Sequence, residues 1–525
     1  AFERAEFVML QEAFATAATC NVADLLLPAT TWGEKEGTVT NSERRISRVR
    51  CAVPPPGLAR HDWQIVCAIG QRLALALDRP QDVRLLDYSS PEIIWNEHRE
   101  STRGRDLDIT GLSYAQLEQG PGQWPHPQGG ADGQSRLYGD GRFATPDGHA
   151  RFAAVQWVPV SEERVSQFPF SLTTGRLRDQ WHGMTRTGHA ARLFTHSPEP
   201  CIQMNPQDVQ RLGLKEGDLA QVRSKRGSLV LPVQASEQLA PMQAFIAMHW
   251  GPEFLSGRNS QGQPGLGVNV LTTSSFCPTS KQPELKHSAV QITPLAQQST
   301  WSFVGMAWLP AEHVWQARRD LQQRLTQFDF ASLVPFVYPA AELADQMPRT
   351  GLLFRASSTQ ACSPALQQEL LNLLGMDTPE SLRYQDSERH QLRILRLSAP
   401  DNLGQRSLHG FALAGDTQSA RWLQELLEQG QSLDWPARQW LQASSNPPQS
   451  TSSVSRQVCS CLNVREDAIA ACLKKQPGET MDRLSALQQR LECGTRCGSC
   501  LPELRRLVRQ VPYGDQTAAT SCPQP

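Results

Sequence analysis

The sequence predicts a multidomain chain of α/β plus β architecture. Three observations predict it: strand-like runs alternating with a helical run in the first 150 residues, short strands joined by tight turns from about residue 168, and six cysteines gathered near the C-terminus. Phe7-Val8-Met9-Leu10 and Ala23-Asp24-Leu25-Leu26-Leu27-Pro28 read as strands, the second stopped by proline. Asp62 is the expected cap of an amphipathic helix through Trp63–Ile69. Strands alternating with helices predict a largely parallel sheet, which binds ligands beyond the carboxyl ends of its strands, where loop 11–19 falls. A Gly/Pro-rich stretch at 120–135 reads as a surface excursion.

The β region begins with a short helix capped by Asn205, with Pro206 at its first position, Asp208 in its first turn and Gly213 closing it. Gly217-Asp218 then turns into a strand at 219–224, Lys225-Arg226-Gly227 makes a hairpin, and 228–233 returns, as in a small barrel. From about 300 to 441 the pattern is mixed α+β. Leu392–Leu397 and His409–Gly415 read as strands, and Asp416-Thr417 caps a helix through Trp422, Leu423 and Leu426. This middle block reads as a packing or docking domain of unknown role. The stretches 442–457 and 294–300 lack the apolar residues that offset ordering entropy, and read as linkers. There is no internal repeat.

Composition excludes several functions. The chain has 525 residues, 51 basic and 52 acidic side chains and a net charge of −1, which leaves no footprint for gripping a phosphate backbone. No run approaches the ~18 apolar residues of a membrane span. Neither nucleic acid nor membrane is an expected partner. The N-terminus, Ala-Phe-Glu-Arg-Ala-Glu, has neither initiator Met nor a readable targeting segment.

Of 13 cysteines, Cys20, Cys51, Cys67, Cys201, Cys277, Cys362 and Cys522 are scattered and read as buried hydrophobes in a reducing compartment. The other six fall within residues 459–500. The pairs Cys459-Ser-Cys461 and Cys497-Gly-Ser-Cys500 supply four soft ligands, the requirement of a [2Fe–2S] cluster and of a structural zinc site alike. Zinc pairs usually enclose two to four residues, so the single residue inside the first pair favours iron–sulfur. Cys472 and Cys493 are surplus; Cys493 reads as a spectator or an alternative ligand.

The stretch Thr173–Gly188 combines Gly175, Arg176, Trp181, His182, Gly183, Thr185, Arg186 and Thr187. Glycine admits close approach of a backbone to an anion, and arginines and hydroxyls donate to phosphate. Read alone, it is equally a solvated basic loop packed over Trp181.

The C-terminal module resembles the bacterioferritin-associated-ferredoxin-like [2Fe–2S] domains in its C-x-C opening, its Gly-Thr-x-Cys-Gly-x-Cys second pair and the helix from Leu501. Residues 1–292 resemble the C-terminal half of molybdenum bis-guanylyl-dinucleotide oxidoreductases, most of all bacterial assimilatory nitrate reductases. The likeness rests on residues 19–32, 34–45, the Thr-Gly-Arg…Trp-His block, Met204-Asn205-Pro206-x-Asp208…Gly217-Asp218 and Gly265–Thr272. It implies a molybdenum held by two pyranopterin guanine dinucleotides, a double-psi β-barrel, and these boundaries: 1–150 for the end of the α/β region, 165–295 for the barrel, 300–441 for the middle domain, 442–457 for a linker, 458–510 for the [2Fe–2S] domain and 511–525 for a tail.

Carried over by position, the resemblance implies that Gly175, Arg176, Trp181, His182 and Thr185 contact a dinucleotide arm, Glu36, Gly37, Asn41 and Glu43 line the pterin side, and Asn269 and Lys286 close the barrel end. Met184 and Arg186 are the expected residues facing the metal, although methionine is more often core filler, and Glu43-Arg44-Arg45 also reads as a surface charge cluster. Gly183 stands where relatives often have Thr. The family's N-terminal [4Fe–4S] motif and molybdenum ligand have no counterpart here, so the expectation is a C-terminal portion of a longer polypeptide, a split subunit or a processed chain. The implied activity is nitrate reduction to nitrite in the cytoplasm. Electrons would come from an NADH-dependent flavoprotein or a ferredoxin-type donor through Cys459, Cys461, Cys497 and Cys500. The alternatives are a non-catalytic electron-transfer or docking subunit, or a related enzyme acting on another substrate such as formate.

Overall fold

The protein's computed structural model describes residues 2–130, 133–258, 264–284, 287–295, 301–337, 349–448 and 455–513, in two units, 1–158 and 159–525. In the first unit β1 (Met9–Glu12) and β2 (Leu25–Pro28) pair in parallel, as the strand-like runs predict. The largely parallel sheet expected there is confined, among the described residues, to this pair. β3 (Gly37–Thr40) and β4 (Arg45–Val49) are joined by a tight turn and therefore run antiparallel. Helix α1 (Asp62–Ala76) is capped by His61 rather than Asp62, whose carboxylate instead accepts from Lys35 Nζ at 2.9 Å.

Helices α2 (Pro91–Glu100) and α3 (Tyr114–Gln119) bury Trp95, Tyr114 and Leu117 with Ile46, Ile109 and Leu112 in a small core. The Gly/Pro-rich stretch is a surface excursion only in part: residues 127–130 are exposed, but 122–126 fold inward. It contributes β5 (Gly122–Gln123), which pairs with β4, and Trp124 packs against that core. Its backbone donors and acceptors find partners in the sheet and at Gly111, which is why the segment folds inward.

The second unit opens with a closed six-stranded barrel, as expected. Its strands are β6 (Phe170–Gly175), β7 (Ile202–Met204), β8 (Leu219–Arg223), β9 (Ser228–Ala235), β10 (Gln243–Ala247) and, after the excursion β11 (Leu255–Arg258) and β12 (Pro264–Leu266), β13 (Ser288–Pro294). β6/β10 and β7/β9 run parallel; the other four contacts are antiparallel. Between β7 and β8 lies α4 (Pro206–Arg211), where Asn205 accepts from the Gln207 N–H at 2.9 Å, and Gly213 takes the left-handed conformation that ends the turn (φ 68°). Alternate side chains of β6, Phe170, Leu172 and Thr174, are buried.

The middle block is built on β14 (Trp301–Leu309), α5 (Val314–Gln322), β15 (Phe330–Val337), β16 (Thr350–Ser358), α6 (Pro364–Leu373), β17 (Leu382–Asp386), β18 (Gln391–Leu397), β19 (Arg406–Ala414), α7 (Ala420–Gln429), β20 (Ser432–Leu433) and α8 (Ala437–Trp440). Its antiparallel sheet runs β12-β11-β15-β16-β14-β19-β18-β17, so the barrel's own excursion supplies the edge strands. β14 reads as a continuous apolar run because both of its faces are covered. Trp301, Phe303 and Ala307 pack with α5 and α6, while Val304, Met306 and Trp308 join one core with the barrel. The α7 cap is Ser419, two residues beyond Thr417, because the intervening residues form a turn that closes on Thr417.

The cysteine-rich module comprises the hairpin β21 (Gln457–Cys459) and β22 (Val464–Arg465) with α9 (Glu466–Lys474), α10 (Thr480–Leu491) and α11 (Leu501–Gln510). Its helices are held by one buried guanidinium. Arg483 on α10 donates to the carbonyls of Leu473 (3.0 Å) and Gln476 (3.2 Å) at the end of α9, and of Val508 (2.9 Å) and Val511 (2.8 Å) at the end of α11. The positive charge opposes both helix dipoles, and while the Leu473 carbonyl also accepts from the Gln476 N–H at 3.2 Å, the carbonyls of Gln476, Val508 and Val511 have no backbone donor among the described residues. Arg483→Met leaves them buried without donors and should destabilise the module by about 3 kcal/mol; urea unfolding monitored by thiol reactivity measures this, and a loss below about 1 kcal/mol contradicts it.

Candidate functional site

The chain leaves the barrel at Gly175, where a Cβ would stand 2.8 Å from the Phe245 ring. The following loop is pinned by one side chain. His249 is fully buried; its Nε2 accepts from the Leu177 N–H at 2.8 Å and its Nδ1 donates to the His182 carbonyl. A ring that accepts at one nitrogen and donates at the other is neutral, and burial, together with the nearby Arg176 and His182 charges, holds its pKa below the ordinary histidine value.

The loop carries two non-glycine residues in the left-handed region, His182 (φ 41°) and Met184 (φ 60°). Strain of this kind costs of order 1 kcal/mol each and persists only where surroundings impose it. Arg318 of α5 supplies the constraint at the far end, donating Nη1 to the Gly188 carbonyl at 2.6 Å while packed 4.7 Å from the centre of the Phe254 ring. Burial lowers its pKa to about 10, which leaves it charged.

What this frame presents outward is cationic and aromatic. Trp181 is 52% exposed, Arg176 lies 5.7 Å from the centre of its ring, and His182 meets it edge-on at 4.4 Å. Arg176 and Arg186 are both exposed, and among the described residues neither makes an ion pair. Thr185 is half-buried; Met184, at 1% exposure, lies in the core beneath the loop. Asn269 sits exposed on a 3₁₀ turn, Val268–Val270, tied to the same frame by the Val268 N–H on the Trp250 carbonyl at 3.0 Å. Lys286 lies outside the described residues. Flat aromatic surface, unpaired guanidiniums and a rigid backbone fit the diphosphate and base of a dinucleotide.

In the first unit, Glu36 and Gly37 line a cavity of about 590 Å³ with Trp63, Trp95, Tyr114 and Trp124. Asn41 uses its Oδ1 within the β3–β4 turn, accepting from the Glu43 and Arg45 N–H groups at 3.0 Å each, and Glu43 pairs with Arg45 at 3.4 Å.

The four module cysteines converge. The Cys459 and Cys461 sulfurs are 3.6 Å apart, Cys461 and Cys497 3.5 Å, and Cys500 lies beside Cys459. Among the described residues no group of three or more His, Cys, Asp or Glu side chains closes round a single metal ion, so the fit rests on these sulfur contacts. They suit thiolate ligands of two bridged irons. Burial pushes the Cys500 thiol up to about 12, a proton that ligation must displace. Gly494 and Gly498 (φ 84° and 71°) shape the second pair's loop, and Cys493 is sealed in the module core, its thiol pushed up to about 11 by burial. Of the scattered cysteines, Cys20 and Cys67 are buried as expected, whereas Cys51 and Cys277 are exposed because they lie on irregular loops; Cys522 lies outside the described residues.

His249 and Arg318 are the two residues that sequence reasoning missed; only the short apolar run around His249 hinted at its burial. His249→Ala should cost about 2 kcal/mol by leaving two backbone groups without their partner. The sign with pH follows from the lowered pKa. Above pH 6.5 neither folded nor unfolded ring is protonated and the neutral ring's contribution is complete; as pH falls below 6.5 unfolding takes up a proton and that contribution is progressively lost. Thermal melts from about pH 5 to 8 should show this loss shrinking in His249→Gln. For the module, anaerobic reconstitution should give about two irons and two sulfides, with a reduced-state EPR signal abolished by Cys497→Ser; one zinc and no sulfide would contradict this.

Comparison with known proteins agrees with this geometry. Family models match residues 1–72 as molybdopterin oxidoreductase, 170–289 as molydopterin dinucleotide binding domain, and 457–510 as BFD-like [2Fe-2S] binding domain. A nitrate reductase of Synechocystis sp. is 39% identical over 56% of this chain and 40% of its own length. A nitrate reductase of Klebsiella oxytoca is 30% identical over 97% of this chain and 53% of its own. The F420-dependent formate dehydrogenase subunit alpha of Methanocaldococcus jannaschii is 32% identical over 56% and 40%. Among solved structures, acetylene hydratase from Pelobacter acetylenicus matches at 17% identity and TM-score 0.42, over 56% of this chain and 41% of that one. The chain thus spans about half or less of the length of these curated relatives. Its segments are thus similar, in chain order, to molybdopterin oxidoreductase, to the molydopterin dinucleotide binding domain and to the BFD-like [2Fe-2S] binding domain.

Proposed function

We propose that this chain is part of a molybdenum-dependent assimilatory nitrate reductase, NO₃⁻ + 2 e⁻ + 2 H⁺ → NO₂⁻ + H₂O, with electrons entering through the C-terminal module. One observation carries the reading: the similarity to the Klebsiella oxytoca nitrate reductase continues over 97% of the chain, whereas that to the formate dehydrogenases of Methanocaldococcus jannaschii and Escherichia coli covers 56% and 57%.

When bound, the molybdenum dinucleotide centre supplies oxygen-atom transfer and the [2Fe–2S] cluster one-electron relay. The protein's own residues bind and orient. Arg176 would neutralise the diphosphate of a dinucleotide, Trp181 would offer the base a flat face, Thr185 and the Gly175 backbone would hold the arm, and Asn269, with Lys286 by sequence resemblance alone, would bind the guanine end. Glu36 and Gly37 border the pterin side of the first unit, with Asn41 and Glu43 shaping the adjoining turn. His182 acts through its carbonyl, which fixes the loop on His249. Arg186, exposed and without a carboxylate partner among the described residues, suits an anion such as nitrate, whereas Met184 is buried in the core.

The donor is proposed to be an NADH-dependent flavoprotein or a ferredoxin-type protein, and the setting the cytoplasm. No helix among the described residues is long and apolar enough to cross a membrane. The test is turnover of the reconstituted, molybdenum-loaded full-length enzyme with reduced methyl viologen. Nitrate should yield one nitrite per two electrons, and Arg186→Ala should lower the rate at least about tenfold; turnover with formate and an acceptor, but not with nitrate, would overturn the reading.

A further inference from the structure

The loop that leaves the barrel at Gly175 has two faces. Arg176, Trp181 and His182 belong to the dinucleotide side, while the residues between them grip the module that carries the four cysteines. Arg178 donates Nη1 to the Val458 carbonyl and Nη2 to the Ser460 hydroxyl, both at 2.8 Å. Asp179 pairs with Arg178 at 2.9 Å and accepts from the same Ser460 hydroxyl at 3.0 Å. Arg192, after the loop, donates to the carbonyls of Ser460 and Cys461 at 3.0 Å each.

Apart from the Arg178–Asp179 pair these hydrogen bonds end on Val458–Cys461, the segment holding the first thiol pair, and Arg178 also pairs with Glu503 of α11 at 3.7 Å. The module could dock through any face of its helices, yet it docks through its ligand loop. We propose that Arg178, Asp179 and Arg192 are positioning residues that fix the cluster-ligand loop directly on the dinucleotide loop, and that the Arg178 guanidinium favours the reduced, more negative cluster. This rests on reading 457–510 as a [2Fe–2S] module and 175–188 as a dinucleotide loop.

Arg178 suits both parts of the role. Its side chain is 15% exposed, so solvent screens its charge poorly, and it stands on the carbonyl preceding Cys459 and on the hydroxyl of the residue between Cys459 and Cys461. Its planar fork holds a carbonyl and a hydroxyl at once, which a lysine cannot reproduce. Since four thiolates are ligands in both redox states, a nearby positive charge chiefly stabilises the form that carries the extra electron. The bonds from two residues on the loop and one beyond it also fix the direction in which the first thiol pair faces, because they grip residues 458, 460 and 461 rather than a single point.

The test uses the full chain with a specific protease site placed in the Ser-rich segment 447–453, reconstituted anaerobically, together with Arg178→Gln, Arg178→Lys and the double variant Arg178→Gln/Arg192→Gln. Iron and sulfide content should be unchanged, since no ligand is altered. Arg178→Gln should shift the one-electron equilibrium about tenfold towards the oxidised cluster, a fall of about 59 mV in an EPR-monitored titration, and Arg178→Lys should restore most of it by keeping the charge. After cleavage the module should co-elute with the rest of the wild-type chain and separate at least about tenfold more in the double variant. An unshifted potential together with unchanged co-elution, at full cluster content, overturns the proposal. If the wild-type chain takes up no iron and sulfide, the cluster reading itself fails, and co-elution alone then decides whether the clamp exists.

Discussion

The binding surface of the barrel depends on one buried imidazole that has to stay neutral. His249 holds the Leu177 N–H and the His182 carbonyl with its two nitrogens, and only the uncharged ring can do both. With the loop pinned there and at Gly188 by Arg318, the left-handed backbone at His182 and Met184 is imposed rather than chosen, and Trp181 and Arg176 are held outward instead of collapsing into the core. The cost of burying a titratable ring is thus coupled to the rigidity of an exposed cationic and aromatic surface.

Interior arginines do repeated work of one kind here: they collect backbone carbonyls. Arg483 gathers four helix-end carbonyls, Arg318 takes Gly188, and Arg396 takes Gly375 at 2.6 Å with the Trp308 and His409 carbonyls. A guanidinium presents five donors in a fixed plane and stays charged even when burial lowers its pKa, so it can satisfy several carbonyls that a strand or helix leaves open. The middle block consequently acts as more than a spacer. Its sheet takes β11 and β12 from the barrel, shares the barrel's core through one face of β14, and sends Arg318 back to the loop.

Much of the local structure was legible. Asn205, Pro206, Gly213 and Gly217 mark a helix and a turn through their own backbone preferences, and the strands at 219–223 and 228–235 follow from them. The C-x-C and C-x-x-C pairs announce a thiolate site because four soft ligands at such spacing have little other use. The errors are of a different kind. The cap at His61, the inward folding of 120–126 and the exposure of Cys51 and Cys277 all depend on which partner lies across the structure, which a one-dimensional pattern does not contain.

The sequence by itself determined where the chain turns, which segments alternate in apolar character, that two close cysteine pairs are spaced as thiolate ligands are, and to which family of cofactor-binding barrels the motifs point. Only the tertiary structure decided that residues 72 positions apart in the chain, Leu177 and His249, build one frame, that Met184 lies beneath the loop rather than on it, and that the thiol loop rests on Arg178, Asp179 and Arg192. The physical reason is range. Backbone preferences and periodicity act over a few residues, whereas burial, tautomer and charge pairing are set by groups that meet only after the strands have closed.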